Sequence, residues 1–443
     1  MPQTLLNFRV ESTDEQMTPR AGVIVFGEYL KAIGLDRLCD RYLPRPKSNK
    51  GYDPFTFIQP LVLMLHAGGR SLEDLRELES DQAMRTLLHI EHVPKADSTG
   101  KWLKRHGLLG VYGIEALHRQ LLKRYLKRLP EDEVLVLDID ATLMQSYKST
   151  AEPTYKSFPG YAPMIGHLNG GYVLHSEFRS GNIAPADHNV HFVQRAVAQL
   201  PAGRRLRYLR ADSASYQHAL FDWCEDHGIV YTIGARLDGR VWESIQEITR
   251  WEALDERKGE HHFLKEEVAE FLHTMHEGKH AFRLIVVRKR VTPILPALEA
   301  LLSEEEKLAL AQERYSVIAT NAECETMSAQ EVVRFYRKRG DRSENRIKEL
   351  KGGFHLDRLP SSDFIANAFY FQIGILAYNL FVLFKQTLQE SWKKHTIQTL
   401  RYKLYHIAGK VVRHARQYAL KVNAAFVPIL EAIRHKSYRI SLE

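Results

Sequence analysis

The sequence predicts an α/β protein: a mixed sheet flanked by helices, preceded by a helical N-terminal region and interrupted by a mostly β insertion. Three observations carry this expectation. Residues from about Gly22 to Arg128 show helical rather than alternating apolar periodicity. At Glu133 the texture changes to VLVLDIDAT, a compact run rich in β-branched residues. Further on, the strand signals LRYLRA and IVYTIGA bracket a helical segment, the pattern of a parallel crossover unit.

Length and composition set the frame. A chain of 443 residues with 44% hydrophobic and 26% charged residues is an ordinary globular sequence with room for two or three folding units. Three cysteines, Cys39, Cys224 and Cys324, lie far apart without Cys/His metal spacing, which argues against a disulfide framework or a structural zinc and suits a reducing cytoplasm. The opening MPQTLLNFRV lacks the basic flank and apolar core of a secretory signal. Phe369 to Phe384 forms the longest apolar run, carries Gln372 and Asn379, and reads as a buried helix shorter than a membrane span, so no membrane partner is expected.

The formal net charge is +8, and its placement is uneven: from Ser391 to the end there are eleven Lys or Arg against two Glu. The first 390 residues are therefore close to neutral. A basic segment with Tyr402, Tyr405 and Tyr418 interleaved suits a polyanion such as DNA, with Arg401, Lys403, Lys410, Arg413 and Arg416 as candidate phosphate contacts.

In chain order, GVIVFGEYLKAIGLDRLCDRYL and FTFIQPLVLMLHAGG predict helices, Ser71 caps SLEDLREL, and Ser98 caps a run of basic helices. This stretch, residues 1–128, is expected to bind DNA or to dimerise. After the VLVLDIDAT strand, GYVLHSEF with the turn RSGN starts a hairpin. LRYLRA then leads into a helix from about Ser213 to Asp226, stopped by Gly228, and on to IVYTIGA. Residues 237–311 are irregular, with one strong strand, AFRLIVVRKRV, and a turn expected at Pro293 and Pro296. The α/β texture resumes with the strand RYSVIATN and the helical YRKRGDRSENRIKELKGGF. The expected body is thus 129–236 with 312–390, followed by a basic segment, 391–443.

Chemistry concentrates on three carboxylates. Strand alternation puts Asp138 and Asp140 on one face of VLVLDIDAT, where buried carboxylates require compensation such as a cation. Asp212 ends LRYLRA where a helix begins, and alone it reads equally well as an N-cap. Glu344 stands three residues after Asp341 in a capping-box spacing, with Lys348 and Lys351 on its helical face. An Asp on a first strand, an Asp at the end of a later strand and a Glu on a distant helix can meet at one edge of a mixed sheet. Hard oxygen ligands of this kind suit Mg²⁺ or Mn²⁺ and phosphoryl transfer.

DIDAT, LRADS, YSVIATN and then Tyr336, Arg339, Glu344 and Lys351 resemble the DDE transposases of bacterial insertion sequences, in the superfamily with a Tyr-Arg-Glu-Lys signature. The resemblance covers roughly residues 130–385. It implies a ribonuclease H-like fold with a β insertion, catalysis and metal binding by Asp140, Asp212 and Glu344, and two Mg²⁺ ions per site, replaceable by Mn²⁺. It also implies DNA binding by Tyr336, Arg339 and Lys351, double-stranded DNA as partner, a homodimer on that DNA, and a bacterial cytoplasmic setting. Asp140 rather than Asp138 matches the family's first Asp because Ala141 and Thr142 follow it. The spacing departs from the family's at one place: four residues, not three, separate Arg339 from Glu344, so that Arg337 or Arg342 becomes an alternative phosphate ligand. The rival readings are a metal-dependent nuclease that joins no strands, a non-catalytic DNA-binding descendant and, more distantly, a carboxylate-pair hydrolase.

Overall fold

A computed structural model describes residues 9–46, 51–130, 132–254, 263–291, 301–303, 305–306, 310, 312–340 and 344–442. The expected turn at Pro293 and Pro296 and the capping role of Asp341 lie outside these residues, as does Arg342. The chain forms two compact units, one of residues 118–348 and one of residues 1–117 with 349–443. The expected body ran on to residue 390. The helix Phe364–Thr387 instead packs on Pro54–Ala67, and so belongs with the helical unit.

The 118–348 unit is built on a mixed sheet. Its strands are β1 (Leu135–Ala141), β2 (Met164–Leu168), β3 (Val173–Glu177), β4 (Leu206–Ala211), β5 (Val230–Gly234), β6 (Glu252–Ala253), β7 (Phe263–His273), β8 (Phe282–Val291) and β9 (Gln312–Thr320). The spatial order is β6-β7-β8-β9-β5-β4-β1-β2-β3. β1, β4 and β5 run parallel, and all other neighbours are antiparallel.

The hairpin β2–β3 turns at Gly170 and Gly171, whose φ values of +87° and +106° favour glycine. It therefore closes before the RSGN turn on which the sequence pointed. The stretch after residue 237 contributes the short helix Gly239–Gln246 and then β6, β7 and β8, which continue the main sheet through β9. Their core is Leu254, Val268, Ile285 and Val287, packed with Ile318, Val332 and Val333. Helix α1 (Asn189–Val197) connects β3 to β4, and α2 (His218–Asp226) connects β4 to β5. The helix expected from Ser213 is broken: a 3-10 turn, Ser213–Ser215, precedes α2. Helices α3 (Ala329–Arg339) and α4 (Asn345–Lys348) follow β9. Ser328 opens α3 with a capping box, accepting from the Glu331 backbone while the Glu331 carboxylate accepts from Ser328.

The other unit contains the helices Ala21–Ala32, Pro54–Ala67, Phe364–Thr387 and Val427–Ser441 and a small sheet of Gln16–Thr18, Gly409–His414 and Gln417–Val422. The helix Ala96–Lys127 begins at Ala96 rather than behind a Ser98 cap, and is bent at Gly107. Phe364–Thr387 runs 24 residues, eight more than the apolar run suggested, and is the one helix among the described residues long and apolar enough to cross a membrane. Its apolar window is buried throughout.

Polar groups are built into this core. His66 stacks on Phe26 at 3.8 Å, donates from Nε2 to the Ala377 carbonyl at 2.9 Å, and faces the Tyr405 hydroxyl at 3.1 Å from Nδ1. Burial holds its pKa down to about 3, so the imidazole is neutral. Arg401 is also buried, donating to the carbonyls of His66, Leu65 and Gly353 at 2.6–2.8 Å. It is a structural clamp over helix-end carbonyls, not the open phosphate ligand that the charge pattern suggested.

Candidate active site

Parallel register sets the site. β1 and β4 pair with Asp138 opposite Arg210. Two residues beyond that pair stand Asp140, still on β1, and Asp212, one residue past the end of β4. Both thus follow the same paired residues, and the charge of Asp212 acts on Asp140.

The two aspartates of β1 have different surroundings. Asp138 is fully buried, and Arg210 grips it with two hydrogen bonds, from Nε to Oδ1 at 2.6 Å and from Nη2 to Oδ2 at 2.8 Å. Asp140 sits at the strand end, and its side chain keeps 16% of its surface. The Arg339 guanidinium approaches it, Nη2 to Oδ2 at 3.1 Å. Burial pushes the Asp140 carboxyl up to about 6, against the opposing pull of Arg339 and with the added push of Asp212, Glu344 and Asp138. Asp140 thus feels the charges of both other candidate carboxylates.

Asp212 also caps: its Oδ1 accepts from the Ala214 backbone N–H at 3.1 Å, which fixes the carboxylate on the turn after β4. Glu344 precedes α4, is exposed, and lies 4.0 Å from Lys348, the i,i+4 neighbour the sequence suggested. Among the described residues no three His, Cys, Asp or Glu side chains are drawn together tightly enough to cage a metal ion. The donor chemistry still fits one, because the Asp140 charge is penalised by burial and by three neighbouring carboxylates, and a divalent cation would stabilise it.

Tyr336 and Arg339 occupy the last turn of α3. The Tyr336 hydroxyl lies over Gly234 at the end of β5: a Cβ there would come within 2.7 Å of the oxygen and 3.1 Å of the Ser213 nitrogen. Burial raises the phenol pKa, Arg339 lowers it, and Asp212 and Asp140 raise it again, so Tyr336 faces the same carboxylates. Gly234→Ala is accordingly expected to displace the phenol and to reduce turnover about tenfold while the protein stays folded. Turnover measured beside a melting curve checks this, and unchanged turnover would remove Tyr336 from the site.

Arg339 is 8% exposed, and its Nε is a buried donor without a hydrogen-bond partner beside Asp140. Arg337 is committed elsewhere, gripping Glu266 at 2.9 and 3.0 Å. Lys351 lies on the π-helical turn Glu349–Gly353, in the helical unit.

Against known families, the model of the transposase DDE domain, group 1, matches residues 4–441. The chain belongs to the DDE transposases. No curated protein matches it. The family acts on DNA and is generally dependent on divalent metal.

Sequence reasoning missed two residues that surround Asp138 beside these carboxylates. Arg210 lies within the quoted LRADS, and Arg346 lies two residues after Glu344. The available signal was the compensation that a buried Asp138 demands, together with a basic residue two before the second Asp. In the helical unit Lys403, Arg413 and Arg416 are exposed, the last two beside and on the turn joining Gly409–His414 to Gln417–Val422. Lys410 pairs with Glu15. Trp251 is covered by the Arg288 guanidinium at 4.1 Å, whereas Trp242 is 44% exposed.

Proposed function

We propose that this transposase cuts the ends of its insertion sequence and joins them to target DNA, with Asp140, Asp212 and Glu344 as ligands of two Mg²⁺ ions. The pairing of Asp138 with Arg210, two residues before Asp140 and Asp212, together with the charges of Asp212 and Glu344 acting on Asp140, carries this reading. The strand order β3-β2-β1-β4-β5, an antiparallel hairpin leading into three parallel strands, supports a ribonuclease H-like core.

Bound Mg²⁺ would activate a nucleophile and stabilise the leaving oxygen. The chain's own residues do the rest. Asp140 and Asp212 present fixed oxygens from adjacent strand ends, and Glu344 adds a third from the segment leading into α4. Arg339 offers its unpartnered Nε to a phosphate oxygen, and Tyr336 offers its hydroxyl. Lys351 supplies a further phosphate contact. Lys403, Lys410, Arg413 and Arg416 hold the duplex through its backbone, and two copies act together on paired ends.

The test uses duplexes carrying the DNA that borders this transposase's reading frame, incubated with the full chain and Mg²⁺ and then with a supercoiled target plasmid. Cleaved 3′ ends joined covalently to the plasmid are the expected result. Cleavage without joining would leave a nuclease, and DNA binding without either reaction would leave a non-catalytic descendant.

A further inference from the structure

Asp138 is the charge the proposed chemistry does not use, and it is the most thoroughly buried carboxylate of the site. Four elements converge on it. It lies on β1, two residues before Asp140. Arg210, on β4 two residues before Asp212, grips both of its oxygens. The same guanidinium donates from Nη1 to the Phe335 carbonyl at 2.8 Å and lies 4.7 Å from the centre of the Phe335 ring, on α3 immediately before Tyr336. Arg346 of α4, two residues after Glu344, comes to 3.9 Å of Asp138 Oδ2 while donating to the Leu168 carbonyl at 3.0 Å.

We infer that Asp138, Arg210 and Arg346 form a buried positioning hub that sets the spacing of the metal-binding carboxylates; the inference rests on the metal-ligand reading above. Each arm of the hub ends within two residues of a proposed working side chain: Asp140, Asp212, Tyr336 and Glu344. The mechanical reason is register. In a sheet, a slip of one residue turns every side chain to the opposite face, so β1 and β4 must be locked for Asp140 and Asp212 to face the same ion. Backbone pairing alone does little against such a slip where the paired residues are apolar on both faces, as Leu135–Leu137 of β1 and Tyr208–Leu209 of β4 are. A bidentate Arg–carboxylate pair does not, because its two parallel hydrogen bonds form in one geometry. Arg210 extends the lock to α3 by a bond that a lysine in its place could not make at the same time as the bidentate grip. The hub residues touch neither metal nor DNA in this account. They act through the residues beside them.

Two variants and one reference test the hub. Arg210→Lys keeps a cation beside Asp138 but loses the fork. The double variant Asp138→Leu/Arg210→Met removes both charges, the replacement that buried ion pairs often tolerate in stability. Mn²⁺ binding to the full chain is followed by electron paramagnetic resonance, per folded molecule, together with cleavage and DNA affinity. Both variants are expected to bind Mn²⁺ at least tenfold more weakly and to cut at least a hundredfold more slowly, with DNA affinity within about twofold. A folded variant of either kind with wild-type Mn²⁺ affinity and cleavage overturns the hub, and Arg210→Lys alone decides if the double variant does not fold. Asp140→Asn, run in parallel, separates the two readings: if it leaves Mn²⁺ affinity unchanged, the metal-ligand assignment has failed, whatever Arg210 does. If it abolishes binding while Arg210→Lys changes nothing, only the hub has failed.

Discussion

Asp140→Asn, Asp212→Asn and Glu344→Gln should each slow strand cleavage in Mg²⁺ by about a thousandfold or more, while DNA affinity changes little. Metal ligands stabilise charge that develops in the transition state, and docking rests on phosphate contacts elsewhere. Amide replacements are the informative ones here. Asn at 212 still accepts from the Ala214 N–H, so the turn after β4 survives and the lost rate reports the lost charge. Asn at 140 retains the shape beside Arg339. The assay is a cleavage time course beside a binding isotherm, and any one variant that cuts at near the wild-type rate removes its residue from the metal site. Asp138 belongs to a different class: Asp138→Ala leaves Arg210 buried without its partner, and its first symptom should be a fall in melting temperature.

The second large effect concerns salt. Replacing Lys403, Lys410, Arg413 and Arg416 together with Gln should flatten the slope of log affinity against log salt by about three units, since each phosphate neutralised contributes roughly 0.9. Lys410 must first leave Glu15, which keeps the expected change below the full sum. Titrations between low and moderate salt with the folded quadruple variant measure it. An unchanged slope would place the DNA-binding surface elsewhere, with the exposed Lys101, Lys104 and Arg105 of the helix Ala96–Lys127 the first to examine. Arg401 is left out of the set because its removal strands three buried carbonyls, so Arg401→Gln should lower stability.

Local signals made much of this legible. LRYLRA forms β4 over the same residues, and VLVLDIDAT, IVYTIGA and AFRLIVVRKRV each contain a strand, because β-branched runs between turn residues have few alternatives. Asp140 was separable from Asp138 in the sequence only through the family pattern. In the structure they differ by neighbours: Arg210 stands 72 residues from Asp138, a separation across which no periodicity reports. Arg401 shows the same blindness from the other side. A cation in a basic segment reads as surface, yet its partners are carbonyls more than 300 residues away at the end of another helix. The break between Ser215 and His218 was hidden because capping by Asp212 satisfies a short turn as readily as a long helix.

The helical unit is assembled from the two ends of the chain, residues 1–117 and 349–443. Synthesis therefore releases its first apolar helices, Ala21–Ala32 and Pro54–Ala67, long before their partner Phe364–Thr387 exists. At the usual pace of translation the ribosome needs roughly 10 to 50 seconds to deliver the intervening sheet unit. During that interval the contiguous 118–348 unit can finish folding while the N-terminal helices wait with Phe26, Ile58 and Leu61 uncovered. A message truncated before codon 349 would yield a product whose sheet is complete but whose N-terminal helices never find their cover, a natural substrate for chaperones and proteases. Full-length synthesis is thus a condition for a stable polypeptide as well as for an active one.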